Sequence, residues 1–226
     1  MGSFLFFLGL LYTIPASAQR PQFGIQAGVP LTAFFIPGAE GNRLCGCSTV
    51  YTPATKRFTI GPSVEFPVWR SWSLESGFLY KRFNYNLKSD AFFIPRVASN
   101  GNTAGNAWEI PLLVRRPFRW SAWEATFGAG PVVRVLGQLR QQYWETSRDF
   151  FGAVTLRRVQ LNDPREFGKR IYPGMAISAR ATLKFDAWRI GPEFRYTRWL
   201  AHADPSGYPP LQFQANQVEL LMGWRF

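Results

Sequence analysis

Residues Val218–Phe226, V-E-L-L-M-G-W-R-F, alternate along an extended chain. Val218, Leu220, Met222, Trp224 and Phe226 fall on one side, and Glu219, Leu221, Gly223 and Arg225 on the other. Side chains of a strand repeat every two residues, so this stretch is a ribbon with one apolar face and one face of charge and glycine. The same ribbon recurs upstream. Ile190, Phe194 and Tyr196 oppose Glu193, Arg195 and Thr197; Met175, Ile177 and Ala179 oppose Ser178, Arg180 and Thr182; Phe127, Ala129 and Val133 oppose Gly128, Gly130 and Arg134. Trp108, Ile110 and Leu112 oppose Glu109 and Leu113; Leu74, Phe78 and Tyr80 oppose Glu75 and Lys81. Ile60, Val64 and Phe66 oppose Thr59 and Glu65, and Ile25, Ala27 and Val29 oppose Gln26 and Gly28. Eight such stretches make the fold all-β. Pro30, Pro62, Pro111, Pro131 and Pro192 lie inside them and remove ladder donors, so local irregularity is expected there.

One ribbon cannot say whether its apolar face meets a protein core or lipid. The connections decide more. Short segments around Pro67–Trp72, Arg115–Trp123 and Lys184–Ala187 alternate with long ones at Thr32–Arg57, Asn84–Ala107, Leu136–Tyr172 and Leu200–Ala215. Short turns at one end and long loops at the other suit a barrel that crosses a membrane, whereas compact soluble domains favour connections of about four to six residues. Aromatics are 17% of the chain and charged residues 18%, against roughly 25% charged in an average soluble protein. Trp69, Trp72, Trp120, Trp123, Trp188 and Trp224 sort to the short-turn end, and Tyr80, Trp108, Tyr196 and Trp199 to the other, as two girdles at headgroup level. No mature stretch approaches the about 18 apolar residues of a membrane-spanning helix. These features together predict an eight-stranded antiparallel transmembrane up-and-down β-barrel.

The first 18 residues are read as a cleaved signal peptide: an apolar run, Phe4 to Leu11, is followed by Ala16-Ser17-Ala18, a small-residue cleavage site before Gln19. Residues 19–226 then form the barrel domain. The net charge of +12, from 26 Lys and Arg against 14 Asp and Glu, is spread along the chain without a basic run or binding motif, so nucleic acid is not an expected partner. Cys45 and Cys47, in the first long loop, are too few for a disulfide scaffold; a tight disulfide, a bridge to another chain and weak metal binding all stay open. No cofactor motif is present. The single histidine, His202, lies in a loop with Asp204 and Ser206, a poor setting for catalysis.

With V-E-L-L-M-G-W-R-F at 218–226, W-E-I-P-L-L-V at 108–114 and F-G-A-G-P-V-V at 127–133, the chain resembles the small bacterial outer-membrane β-barrel proteins of OmpA or OmpX type. The resemblance covers residues 19–226. It implies residence in the Gram-negative outer membrane as a monomer, and gives Leu220, Met222, Trp224 and Phe226 the role of a signal read by the barrel-assembly machinery. Eight strands leave an interior just wide enough to be filled by side chains. The inward charges are Glu65, Glu75, Lys81, Glu109, Arg134, Arg180, Glu193, Arg195, Glu219 and Arg225. They must pair with one another, which predicts a plugged barrel with a structural, adhesive or surface-recognition role. A narrow channel for small solutes is the alternative, and a lipid-modifying enzyme a more remote one. Arg157 and Arg158, in the long segment Leu136–Tyr172, are candidate contacts to lipopolysaccharide or an acidic partner.

Overall fold

The computed structural model describes residues 20–42, 47–54, 58–69, 71–91, 96–120, 123–162, 170–185, 188–200 and 213–226. The expected signal peptide, Cys45 and the loop with His202, Asp204 and Ser206 lie outside these residues. Twelve strands run in chain order: β1 (Gln22–Pro30), β2 (Gly38–Asn42), β3 (Cys47–Pro53), β4 (Thr59–Trp69), β5 (Trp72–Gly77), β6 (Leu79–Ala91), β7 (Arg96–Trp120), β8 (Trp123–Arg148), β9 (Val154–Asn162), β10 (Ile171–Phe185), β11 (Trp188–Trp199) and β12 (Asn216–Arg225).

Pairing closes them into a ring. β1 pairs antiparallel with β12 on one side and β4 on the other. From β12 the order runs through β11, β10 and β8 to β7, and from β4 through β5 and β6 back to β7. β5 and β6 are one stave interrupted at Phe78, whose N–H donates to the Pro62 carbonyl at 3.0 Å. The ring therefore has eight antiparallel staves. Both β1 and β12 reach the lower end, where adjoining staves meet at Trp69↔Trp72, Trp120↔Trp123 and Phe185↔Trp188.

Every stave carries the alternation read from the sequence, with the apolar face outward. Ile25 is 48% exposed, Ile177 58% and Phe127 56%, while Gln26, Glu75, Glu109 and Arg195 between such positions are each 1% exposed. Water would not tolerate a continuous apolar band around the whole circumference, and lipid requires one. The exposed tryptophans 69, 72, 120, 123, 188 and 224 ring the lower end. Above the band, Phe78 stacks on Trp108 at 4.6 Å and Tyr80 lies 4.9 Å from the same indole. Trp199 departs from the expected girdle. It is 2% exposed and points into the barrel, because its parity on β11 is that of Glu193, Arg195 and Thr197.

The upper connections are not the loops that the alternating lengths predict. β7 and β8 run for 25 and 26 residues, more than twice the about 9–11 that cross a membrane. Most of Asn84–Ala107 and the first part of Leu136–Tyr172 continue the barrel strands upward, with β9 added beside β8 and β2–β3 beside β6. At the lower end Arg115–Trp123 is mostly strand too, since β7 holds its ladder as far as Trp120. Polar residues such as Asn100, Asn102 and Gln142 hide these extensions from an apolar-alternation reading, yet pair as well as apolar ones once clear of lipid.

Candidate functional site

Inward positions on all eight staves converge on two groups of ion pairs and their hydrogen-bond partners. In the lower group Glu75 takes hydrogen bonds from Gln26 Nε2 and Arg115 Nη2, each at 2.9 Å, and from Arg180 Nη2 at 2.7 Å. Arg225 bonds the same carboxylate. Glu193 accepts from Arg180 Nε, Arg115 Nη2 and Arg195 Nη2, all at 2.8 Å. Glu65 pairs with Arg225 Nη1 at 2.7 Å. In the upper group Lys81 bridges Glu109, at 2.6 Å, and Glu219, while Arg134 Nε donates to Glu109 at 2.9 Å. Thr59 Oγ1 donates to Glu219 at 3.0 Å, and Arg134 also bonds Gln217.

All ten interior charges named from the sequence thus lie in these groups. Glu65, Glu75, Arg180, Glu193, Arg195 and Arg225 form the lower one, and Lys81, Glu109, Arg134 and Glu219 the upper. Arg115, Gln26 and Gln217 were missed. Arg115 is 0% exposed and central to the lower group, and the premature end assigned to its strand at Val114 concealed it. Its alternation with Leu113 and Val114 was available in the sequence.

Above the ion pairs the interior turns aromatic. Arg134 lies between the rings of Trp199, at 3.8 Å, and Phe34, at 4.2 Å. Phe34 stacks on Phe83 at 4.7 Å; Phe213 packs on Phe35 at 4.9 Å and on Tyr172 at 4.8 Å. Leu136, Leu139, Tyr51 and Tyr85 complete this layer, each 4% exposed or less. Phe34, Phe35 and Phe213 come from connections between staves, and Phe35 forms an isolated bridge with Phe213. No periodicity marks such residues, because they fold inward from segments without a strand pattern.

The third feature is the sheet raised on β7, β8 and β9. Arg140, Trp144 and Arg148 share its outer face with Leu156 and Arg158. The Arg158 guanidinium lies 5.8 Å from the Trp144 ring and donates to Gln142 Oε1 at 3.2 Å. Arg157 stands opposite Glu145 on the other face, since neighbours in a strand point apart. The two arginines therefore cannot act as one patch. The β8–β9 turn is held by Asp149, whose carboxylate accepts from the Phe151 N–H at 3.0 Å and the Ala153 N–H at 2.7 Å. Gly152 takes φ of 86° there, a conformation that costs glycine little. This turn presents Phe150 and Phe151, 77% and 93% exposed, to solvent. At the neighbouring β6–β7 end Arg96 donates to both Asp90 oxygens, at 3.2 and 2.7 Å, which holds that carboxyl below its ordinary range.

On the outer face of β12, Leu220, Met222, Trp224 and Phe226 are 45–60% exposed, and Trp224 packs on Trp188 at 4.9 Å. Cys47 opens β3 and is disulfide-bonded. Among the described residues no group of three His, Cys, Asp or Glu is placed to hold a metal ion.

No family model and no curated protein matches the sequence. Among solved structures the chain is similar to Neisserial surface protein A, at 12% identity and a TM-score of 0.38, over 92% of this chain and 97% of that one. It is also similar to Ail, the attachment invasion locus protein of Yersinia pestis, at 12% identity and a TM-score of 0.36, over 92% and 100% of the two chains. The barrel itself rests on its own pairings and its lipid-suited exterior. It is an eight-stranded membrane barrel.

Proposed function

We propose that this chain is a bacterial outer-membrane protein whose working part is the raised sheet, displayed outside the cell by a barrel that its interior ion pairs close to solutes. The observation that carries this reading is the β8–β9 turn: two exposed phenylalanines stand above Trp144 and three outward arginines. Such exposed rings do nothing for the stability of the fold, and large exposed apolar groups of this kind mark contact surfaces. Arg140, Arg148 and Arg158 supply planar donors that match phosphate and carboxylate. The partner that fits is the phosphate-bearing layer of lipopolysaccharide around the barrel. In this reading the lower end is periplasmic and the protein acts as a monomer without a cofactor. The interior carboxylates suit a structural role rather than acid–base chemistry, since Glu75 and Glu193 are each held by three or more donors.

The test is binding of the barrel, held in detergent micelles, to lipopolysaccharide vesicles at low and moderate salt. The triple variant Arg140→Ser, Arg148→Ser and Arg158→Ser is expected to bind at least tenfold more weakly, and the wild type to lose affinity as salt shortens the screening length. Arg157→Ser, on the opposite face, is the control and should change little. Equal, salt-insensitive binding by all three proteins would sink the reading.

Two further outcomes are expected. Reconstituted in a planar bilayer, the barrel should give no steady conductance above the bare membrane, because two ion-pair groups and an aromatic layer cross its interior. Steady single-channel steps would instead favour the narrow channel. Phe226→Asp puts a charge beside Trp188 on the outer row of β12. It should lower the yield of assembled barrel in cells while secretion across the inner membrane continues, as read by heat-modifiable migration on a gel.

A further inference from the structure

The outward rows of the barrel are apolar with one exception. Between the tryptophan ring at the short-turn end and the ring formed by Tyr80, Trp108 and Tyr196, every described outward position is uncharged except Arg116 on β7. The outward Arg82 and Arg198 stand above Tyr80 and Tyr196, and so clear of that band. An arginine on the lipid face costs more stability the deeper it lies, so a single one within the band calls for a compensating contact.

Arg116 stands four residues above Trp120, and its ladder partner Phe127 four above Trp123. Its guanidinium bends toward the short-turn end. It lies 5.4 Å from the ring of Phe118, two residues lower on the same strand, and 5.5 Å from that of Trp72 in the girdle. A long cationic side chain buries its stem along apolar surface and carries its head toward the headgroups in this way. The two rings attract the cation but take none of its five N–H donors in an ordinary hydrogen bond, and among the described residues no carboxylate or other acceptor does. Beside it runs an open groove of about 420 Å³, walled by Trp72, Val114, Phe118 and Phe127. Ala129 leaves this space: it stands opposite Val114 in one ladder and Ile177 in the other, where a larger side chain would fill it.

We propose that this groove holds one glycerophospholipid of the leaflet at the short-turn end, with an acyl chain over Ala129 and the phosphodiester on Arg116. The two halves of the site match the two halves of that molecule. The walls are apolar, and the guanidinium presents a planar fork that pairs two phosphate oxygens. Ordinary boundary lipid meets only apolar rows, so the phosphate contact is what separates a retained lipid from a passing one. Trp72 and Phe118 hold the guanidinium in place before the lipid arrives, which reduces the ordering cost of binding. Such a site works in any bilayer the barrel spans, whatever the raised sheet binds.

The test is native mass spectrometry of the barrel folded in a non-ionic detergent and mixed with phosphatidylglycerol, or with diacylglycerol of the same chains. At a collision energy that strips detergent, the wild type should keep one phosphatidylglycerol and no diacylglycerol. Arg116→Gln removes the phosphate contact and should lower phosphatidylglycerol occupancy at least fivefold. Ala129→Phe fills the groove and should do the same. Arg119→Gln, an equal loss of charge at the barrel mouth, is the control and should leave occupancy unchanged. Heat-modifiable migration checks that each variant has folded; if Ala129→Phe does not fold, Arg116→Gln and the diacylglycerol comparison decide. Equal retention of the two lipids, full occupancy in Arg116→Gln, or as large a loss in Arg119→Gln overturns the proposal. So does a dimer that carries no lipid, which would put a second copy of the chain in the groove.

Discussion

Glu75→Ala is expected to destabilise the folded barrel by about 3–5 kcal/mol, the usual result of removing one partner from a buried, hydrogen-bonded charge cluster. Glu75 is the joint of the lower group: Arg115, Arg180, Arg225 and Gln26 all donate to it from different staves. Its loss would leave four guanidiniums facing Glu65 and Glu193 in a space that admits little water. Urea unfolding in lipid vesicles, followed by tryptophan fluorescence, measures the change. Glu75→Gln keeps an acceptor and should fall between the two. A double-mutant cycle with Arg180→Met should recover a large part of the loss, because the pair is coupled through direct contact. Wild-type stability for Glu75→Ala would mean that the interior charges are hydrated individually rather than bound to one another.

Ile177→Arg should cost about 2–4 kcal/mol if its place on β10 lies at the bilayer midplane. Ile177 is 58% exposed on the outer surface, between Met175 and Ala179 on the same face. Its neighbour Ser178 points inward and is 6% exposed, so one residue separates lipid from the charged interior. Unfolding in vesicles of increasing thickness gives a second readout. An arginine held at the midplane has farther to reach for the headgroups as the bilayer thickens, so the cost should rise with it. An unchanged stability would mean that the two faces had been assigned the wrong way round.

Much of this was legible in the alternation of residues such as Glu219, Leu220, Leu221 and Met222. A strand has a period of two, and a barrel in lipid inverts the ordinary arrangement, so apolar and charged faces could be paired with lipid and interior before any coordinates. That the inward charges must pair with one another also followed, because ionised groups in a low-dielectric interior need partners; which carboxylate meets which guanidinium did not.

What the sequence could not decide depends on groups distant in the chain or on segments without a period. The reach of β7 and β8 above the membrane was invisible, since Asn100, Asn102 and Gln142 carry no apolar alternation and gain their ladder from partners on neighbouring strands, such as Lys88, Trp144 and Gln160. The inward folding of Phe34, Phe35 and Phe213, and with it the burial of Trp199, came from packing between connections rather than from any strand pattern. The sequence by itself determined the two faces of each strand, because alternation is local and repeats every second residue, and the alternating connection lengths then assigned the apolar face to lipid. Only the tertiary structure decided that Arg115 joins Glu75 and Glu193 and that Arg157 and Arg158 face opposite ways, because ladder register and strand length are set by pairing partners far away in the chain.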